Sequence, residues 1–404
     1  MDNPLRSLYI CYLSLEDPLV HTQVVAYLAG LTAGGHTVHL LTFDPELAPE
    51  RRLAFAEQLQ TKGIVWHSLR YHKRPSLPAT VYDALAGAVA ATNIIRRHRL
   101  EAIHARNHVP LATALIVRRL TGCKLIFDIR GLMAEEYADA GRWREGGVAY
   151  RLTQRIQRSG LRRADGVVTL TEAVRPHLFE GDGRSASYVI PCCADLEAIG
   201  ARLDQRDAVR SELGIEGRPV MAYVGKFTGW YMEREMVDFF AAARRLQPDL
   251  FFLVITQADR GVIERELTRV GVKGPDFLIT RTKPEEVGRY LAAADFGISF
   301  IRRCFSKISS SPTKIGEYLG AGLPVLSSAG IGDLDRLLGR ERVGVLVDHF
   351  SDASYEAVAR AILELAHDDE VQERCRSVAH SELGLREVGI PRYDRLYREV
   401  AAIT

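Results

Sequence analysis

Short apolar runs alternate with longer amphipathic ones along the whole chain, and the alternation is interrupted once. In the first half the apolar runs are SLYICYL, HTVHLLTF, IVWHSL, AIHA, KLIFDI, GVVTLT and SYVIP. Stretches such as QVVAYLAGLTAGG, DALAGAVAATNIIRRHR, LATALIVRRLTG and GGVAYRLTQRIQRSGLRRA stand between them with helical character. Strands that alternate with helices predict a parallel sheet covered on both faces. After YVIPCCADLEAI the pattern lapses into the polar ARLDQRDAVRSELGIEGR, then restarts at PVMAYVGKF. The second round has the runs PVMAYVG, LFFLVIT, FLIT, FGISFI, LPVLSS and VGVLVD, with MVDFFAAARRL, GVIERELTRVG, PEEVGRYLAAA, PTKIGEYLGAG and SYEAVARAILELAHD as helices.

The expected fold class is therefore α/β: two doubly wound, Rossmann-like parallel-sheet domains facing a central cleft. At 404 residues the chain is too long for one core. The expected division is residues 1–195, residues 196–385, and a last helix in 386–404 that packs back on the N-terminal domain. Ligands of such folds bind outside the carboxyl ends of the strands.

Charge and cysteine usage exclude several classes. A net charge of +2 gives no global reason to bind nucleic acid. No apolar run is long enough to span a bilayer, and MDNPLRSLYICYL does not read as a signal peptide. Cys11, Cys123, Cys192, Cys193, Cys304 and Cys375 have no CxxC spacing, which points to buried thiols in a reducing, cytoplasmic setting. RYHKR at 70–74 and the arginines 96, 97 and 99 are basic clusters. They read either as solvated helix ends or as peripheral contacts with the anionic inner face of a membrane.

The densest signal is SSSPTKIGEYLGAGLPVLSS, from Ser309 to Ser328. Pro312 suits the first turn of a helix, which makes Ser311 the expected N-cap and Gly322 the stop. Exposed N–H groups and the helix dipole, beside the hydroxyls of Ser309, Ser310 and Ser311, make an anion site suited to phosphate. Lys314 adds a cation in the first turn. Glu317 lies deeper, where a carboxylate can accept from a ribose diol. The bland reading is a capped helix with a Lys314–Glu317 surface pair.

SPTKIGEYLGAGLPVL resembles the donor-binding signature of GT-B glycosyltransferases of the family 4 type. LEDPLVHTQVVAYLAGLTAGGHTVHLLTF, DIRGLMAEEYADAGRWREGG, LRRADGVVTLTEAV, YVIPCCADLEAI and AYVGKFTGWY stand in the family's order, so the resemblance runs from about Leu8 to Val347. It implies a retaining, metal-independent transferase that takes a nucleotide-sugar, a UDP-sugar, as donor substrate and uses no further cofactor. It implies that Glu317 holds the ribose hydroxyls and that Gly225 and Lys226 face the diphosphate. Ser310, Ser311, Pro312 and Thr313 would supply donors to the phosphates, and Arg281, Thr282 and Lys283 would frame the base. The family's first glutamate falls at Ser309, which leaves the donor sugar open. Thr228 to Met232 read TGWYM and offer no second lysine. In the first strand–helix loop the usual glycine pair is replaced by EDPLVH, with Asp17 and His21 as candidate cleft residues. Arg130 stands where many relatives carry a histidine; it either serves the donor or pairs with Asp128 or Glu135.

HARNH, with His104 and His108 at a strand end, reads as an acceptor subsite or as a solvated loop. Trp230-Tyr231 is either a stacking platform or core. The D-x-D at Asp333 and Asp335 reads as a surface loop. The sequence shows no His/Cys/carboxylate group at metal spacing, no G-x-S-x-G and no P-loop. The expected reaction is transfer of a sugar to a hydroxyl of a carbohydrate, lipid-linked or small-molecule acceptor. Its rivals are a nucleotide-sugar epimerase of the same fold and an inactive donor-binding protein.

Overall fold

The structure, a computed structural model, describes residues 3–74, 76–179, 186–227 and 229–403. Thr228 and the extreme ends of the 1–195 and 386–404 assignments lie outside the described residues. The chain forms two compact units. The first comprises Met1–Pro191, Phe305–Ser310 and Gly389–Thr404; the second comprises Cys192–Cys304 and Ser311–Val388.

The first unit is built on strands β1 (Arg6–Cys11), β2 (Thr37–Asp44), β3 (Ile64–Arg70), β4 (Ala102–Arg106), β5 (Lys124–Asp128), β6 (Gly166–Thr169) and β7 (Ala186–Val189). They form one sheet in the order β3-β2-β1-β4-β5-β6-β7, parallel throughout. The second unit holds β8 (Val220–Val224), β9 (Phe251–Ile255), β10 (Phe277–Thr280), β11 (Phe296–Ser299), β12 (Val325–Ser328) and β13 (Gly344–Val347), in the order β10-β9-β8-β11-β12-β13 and again parallel. These are the strands the apolar runs indicate.

Why both faces are apolar is visible in β8 and β9. Val220, Ala222 and Val224 join one core with Phe251, Leu253 and Ile255. Met221 and Tyr223 join a second core with Phe252 and Val254. Successive side chains point to opposite faces, so a strand covered on both sides must be apolar at every position. Both sheets reverse direction of growth once, between β1 and β4 and between β8 and β11. At such a switch the loops diverge to opposite faces and leave an opening at the strand ends.

Helix Ile390–Ala402 belongs to the first unit and buries Tyr393, Leu396, Tyr397 and Val400 there. Helix Pro49–Gln60 has no strong sequence signal, because it buries only Phe55 and Leu59. Helix Thr313–Gly320 starts one step later than the sequence suggests, with Pro312 at the capping position. Among the described residues no helix is long and apolar enough to cross a membrane. None of the six cysteines is in a disulfide, and Cys304 alone of them is half-buried rather than buried.

Candidate functional site

In the second unit the switch point is closed from below by one tyrosine. Tyr318, on helix Thr313–Gly320, accepts from the Val224 N–H of β8 at 2.8 Å and donates to the Ile298 carbonyl of β11 at 3.2 Å. Its ring fits because β11 has a glycine opposite: a Cβ on Gly297 would lie 2.4 Å from the Tyr318 ring. The helix is thereby held at the carboxyl ends of the two strands that flank the switch.

That placement puts Lys314 at the end of β8. Its side chain is buried, and Nζ has no hydrogen-bond partner among the described residues. Nζ stands 4.0 Å from the centroid of Tyr223 and 3.7 Å from that of Tyr231, so the ammonium is flanked by two aromatic faces. Gly225 follows directly, at φ +112°, and Nζ lies 3.4 Å from where a Gly225 Cβ would stand. A side chain there would both strain the backbone and crowd the ammonium. Burial drives the Lys314 pKa well below its ordinary value, with Glu317 acting in the opposite sense. Burial raises the Glu317 carboxyl to about 7, against the pull of Lys314. A buried amine without a partner is costly, and perturbed pairs of this kind mark functional sites.

The remaining second-unit candidates gather less closely. Lys226 is exposed next to Gly225, and its carbonyl accepts from the Tyr223 hydroxyl. Arg281 is exposed beyond β10 and reaches the Ala258 carbonyl at 3.5 Å; the Thr282 carbonyl accepts from Gln257 at 3.2 Å. Thr313 is half-buried in the first turn. Trp230 lies beneath the Arg302 guanidinium at 5.0 Å. Asp335 of the D-x-D accepts from the Gly330 N–H at 2.9 Å, a loop role.

The serine run is divided. Ser311 is not the N-cap; its hydroxyl accepts from the Cys192 N–H at 3.1 Å and pins the segment Cys192-Cys193. Ser309 and Ser310 belong to the first unit. Ser309 is buried, accepts from the Leu132 N–H at 3.3 Å and donates to the Ser306 carbonyl at 2.7 Å, so its hydroxyl is already engaged. Within the same segment Lys307 pairs with Glu136 at 3.1 Å, the Ile308 carbonyl accepts from Thr171 at 2.7 Å, and the Ser306 N–H meets Asp139 at 3.0 Å.

The first unit's candidates are also placed differently from expectation. His104 is fully buried, with Nδ1 2.9 Å from the Tyr397 hydroxyl and Nε2 3.8 Å from Asp128. His108 is buried between Asn107 and Gln157, at 2.6 and 2.7 Å. Neither is an acceptor-facing loop residue, because helices Ile390–Ala402 and Val148–Arg163 supply their partners. Arg130 lies 3.7 Å from Asp128 and 3.4 Å from Gln23, buried to 7% side-chain exposure. Asp128 also accepts from Tyr393 at 2.9 Å. Burial alone would raise its carboxyl, but Arg130, His104 and Arg106 together hold it at about 2. Asp17 caps Pro18–Val20 through the Leu19 N–H, and His21 Nε2 meets the Leu15 carbonyl at 2.7 Å. Sequence reasoning missed Tyr318, Tyr223 and Lys307. Only the tyrosine after Glu317 carried a readable signal, as a large residue on the helix face opposite solvent.

Comparison with known proteins agrees with this geometry. Residues 20–193 match the glycosyl transferase 4-like domain family. No curated protein matches the sequence. A glycosyltransferase from Rickettsia africae ESF-5 has the same fold over 100% of both chains, at TM-score 0.72 and 15% identity. Sucrose-phosphate synthase from Thermosynechococcus elongatus matches over 99% of this chain and 100% of its own, at TM-score 0.72 and 16% identity. HepE from Anabaena, solved in complex with UDP and glucose, matches over 99% and 100% at TM-score 0.70 and 13% identity. Residues 20–193 are thus similar to the glycosyl transferase 4-like domain, and along its whole length the chain shares the two-sheet fold of these solved structures.

Proposed function

We propose that the chain moves a sugar from a UDP-sugar to an acceptor hydroxyl, with retention of configuration and without a metal at the donor site. The observation that carries this reading is the buried, unpartnered Lys314 ammonium at the β8/β11 switch, one helical turn from Glu317. A diphosphate supplies the negative charge that Lys314 lacks. Lys226, the Gly225 N–H and the first turn of helix Thr313–Gly320 add further donors and positive potential. Glu317 accepts from the ribose hydroxyls, and the chain beyond β10 around Arg281 and Thr282 borders the base. HepE, which shares the fold, is solved with UDP-glucose, which fits a donor of this class.

The chemistry asked of these residues is electrostatic. As the bond between sugar and diphosphate breaks, charge grows on the leaving phosphate. Fixed cations beside it lower the barrier without moving. The acceptor proton passes to that same phosphate as the new bond forms on the face the leaving group vacates. No protein nucleophile is needed. Acceptors of this reaction are sugars, lipid-linked sugars or small glycosylated molecules, held by the first unit. The Arg130, His104 and Asp128 group is held by mutual charge and by the Tyr393 and Tyr397 hydroxyls, and its part is to stiffen the first unit's strand ends rather than to react.

The test is a nucleotide-sugar panel read by melting temperature, since a ligand of the folded state raises it, followed by release of free nucleotide with an added acceptor. Stabilisation by UDP-sugars that disappears in Lys314→Ala supports the reading. A panel without any stabilising nucleotide sinks it.

A further inference from the structure

Three histidines that lie far apart in sequence meet on one face of the first sheet. His39 is on β2, His67 is on the edge strand β3, and His98 ends helix Ser76–His98. The parallel register sets His67 opposite Leu41, two residues beyond His39, so both imidazoles project to the same face. That face is the one lined by Leu8, Leu41, Ala88 and Ala91, and the last two come from the same helix that carries His98. The helix end thus brings the third ring down on the pair. His39 Nδ1 is 3.0 Å from His67 Nε2. The His39 and His98 ring centroids are 4.5 Å apart, those of His67 and His98 5.9 Å. One ring nitrogen from each residue lies within 4.8 Å of the other two.

We propose that His39, His67 and His98 form a transition-metal site of the zinc class, built into the first unit and separate from the donor site. Three imidazoles about a tetrahedral Zn²⁺ have nitrogens roughly 3.3 Å apart, for bonds of about 2.0–2.1 Å. Small ring rotations reach that spacing from the present one. The His39–His67 contact needs a single proton between two nitrogens, and a metal replaces that proton with a bond to each. The fourth position opens outward: His67 and His98 are half-buried, and His67 lines a groove of about 720 Å³ with Leu53, Trp66, Ala90 and Asn93.

The surroundings also decide which ion fits. His98 is the last residue of a 23-residue helix, whose carbonyl end favours a cation. Arg6, which donates to the His98 carbonyl, and Arg97 oppose it. No carboxylate belongs to the ligand group. A purely imidazole site beside two guanidinium groups selects ions that bind nitrogen strongly, such as Zn²⁺, Co²⁺ or Cu²⁺, over Mg²⁺ or Ca²⁺. The bound ion would fasten the edge strand β3 and the helix end to β2, a structural role.

Untagged full-length chain, stripped with chelator and dialysed, is titrated with Co²⁺ and then with Zn²⁺ in competition. The readouts are the visible cobalt absorption, bound metal per chain and melting temperature. The expected result is one ion per chain, a tetrahedral cobalt spectrum displaced by Zn²⁺, and a melting temperature raised by Zn²⁺ but not by Mg²⁺. His98→Gln and His67→Gln, which leave buried His39 in place, should each weaken Zn²⁺ binding at least tenfold, and the double variant should lose it. The metal-free variants should unfold cooperatively with the same near-ultraviolet circular dichroism as metal-free wild type, showing that they fold. Uptake of Zn²⁺ by the folded double variant equal to that of wild type would overturn the site. So would wild-type chain that takes up no Co²⁺ or Zn²⁺ at equimolar concentration.

Discussion

The two sheets share one strand order, yet their switch points are finished in opposite ways. In the first unit the strand ends carry a polar group of both charges: Asp128 accepts from Tyr393 and lies beside Arg130, while His104 meets Tyr397, although Asp128 Oδ1 and His104 Nε2 make no hydrogen bond. In the second unit the same place holds Lys314 with no hydrogen-bond partner, between two tyrosine rings. The two carboxylates diverge accordingly, Asp128 held at about 2 and Glu317 raised to about 7. The chain's own C-terminal helix brings two hydroxyls to the first group, and Lys314 in the second has an aromatic cage in place of a carboxylate at hydrogen-bond distance. A shared order of the first six strands therefore leaves the charge at each switch to be set by the side chains around it.

The largest expected break of this contrast is Asp128→Ala. It strips Tyr393 of its acceptor and leaves Arg130 and His104 without the nearby carboxylate, and should destabilise the protein by about 3–5 kcal/mol, the cost of stranding a buried charge. Denaturant unfolding measures it. The pH sense follows from the depressed carboxyl. Its stabilising contribution is complete above the unfolded value near 3.8 and lost as pH falls toward 2. An acid limb unchanged in Asp128→Asn would contradict the pairing.

Next come the two lysines. Lys226→Ala and Lys314→Ala should each reduce turnover by about 10²–10³, as for removal of one oxyanion donor. The double variant should lose less than the product, because both serve one charge. Steady-state rates with saturating donor decide this, and wild-type turnover in both single variants would remove the diphosphate role.

Glu317→Gln should weaken UDP by about 1.5–3 kcal/mol in calorimetry. It should also flatten a pH dependence. With the free carboxyl near 7, nucleotide affinity of the wild type should rise as pH passes upward through about 7, because the ribose diol favours the ionised form. Folding carries the reverse sign: a raised carboxyl stabilises most below its unfolded value near 4.5, and that contribution disappears as pH climbs to about 7.

Lys314→Met sharpens the comparison from the stability side. Replacing a buried amine that lacks a partner with an apolar chain of similar length should leave the nucleotide-free protein about 1 kcal/mol more stable, while activity falls. The corresponding loss of pairing in the first unit never stabilises. The smallest effect concerns chelator, which should leave room-temperature turnover within about twofold because donor electrostatics rests on lysines and N–H groups. Abolished activity restored by Mn²⁺ would reopen Asp333 and Asp335.

The strands were legible because a sheet covered on both faces needs uninterrupted apolar runs such as VMAYV and FFLVI. The Lys314–Glu317 helix was legible because its proline and glycine punctuate a short string. What escaped depends on partners distant in the chain. Ser311 looks like a cap until Cys192 claims its hydroxyl, and Ser309 looks like a phosphate ligand until Leu132 does. His104 looks exposed until Tyr397 arrives from the far end of the sequence. The three histidines carry no spacing signal, since strand register and a helix end bring them together. Helix Pro49–Gln60 escaped because two buried side chains are too few to set a period.

The first unit includes Gly389–Thr404, and the buried Asp128 and His104 depend on tyrosines in that segment. On the ribosome, therefore, the domain begun first is completed last. Its seven strands emerge with their central acid and imidazole still lacking the hydroxyls that will satisfy them, and the whole second unit is made in the interval. A nascent chain arrested before Gly389 should hold a finished second unit and a loosened first one, open to protease at the ends of β4 and β5. Premature termination within the last helix would then damage the part of the protein written earliest.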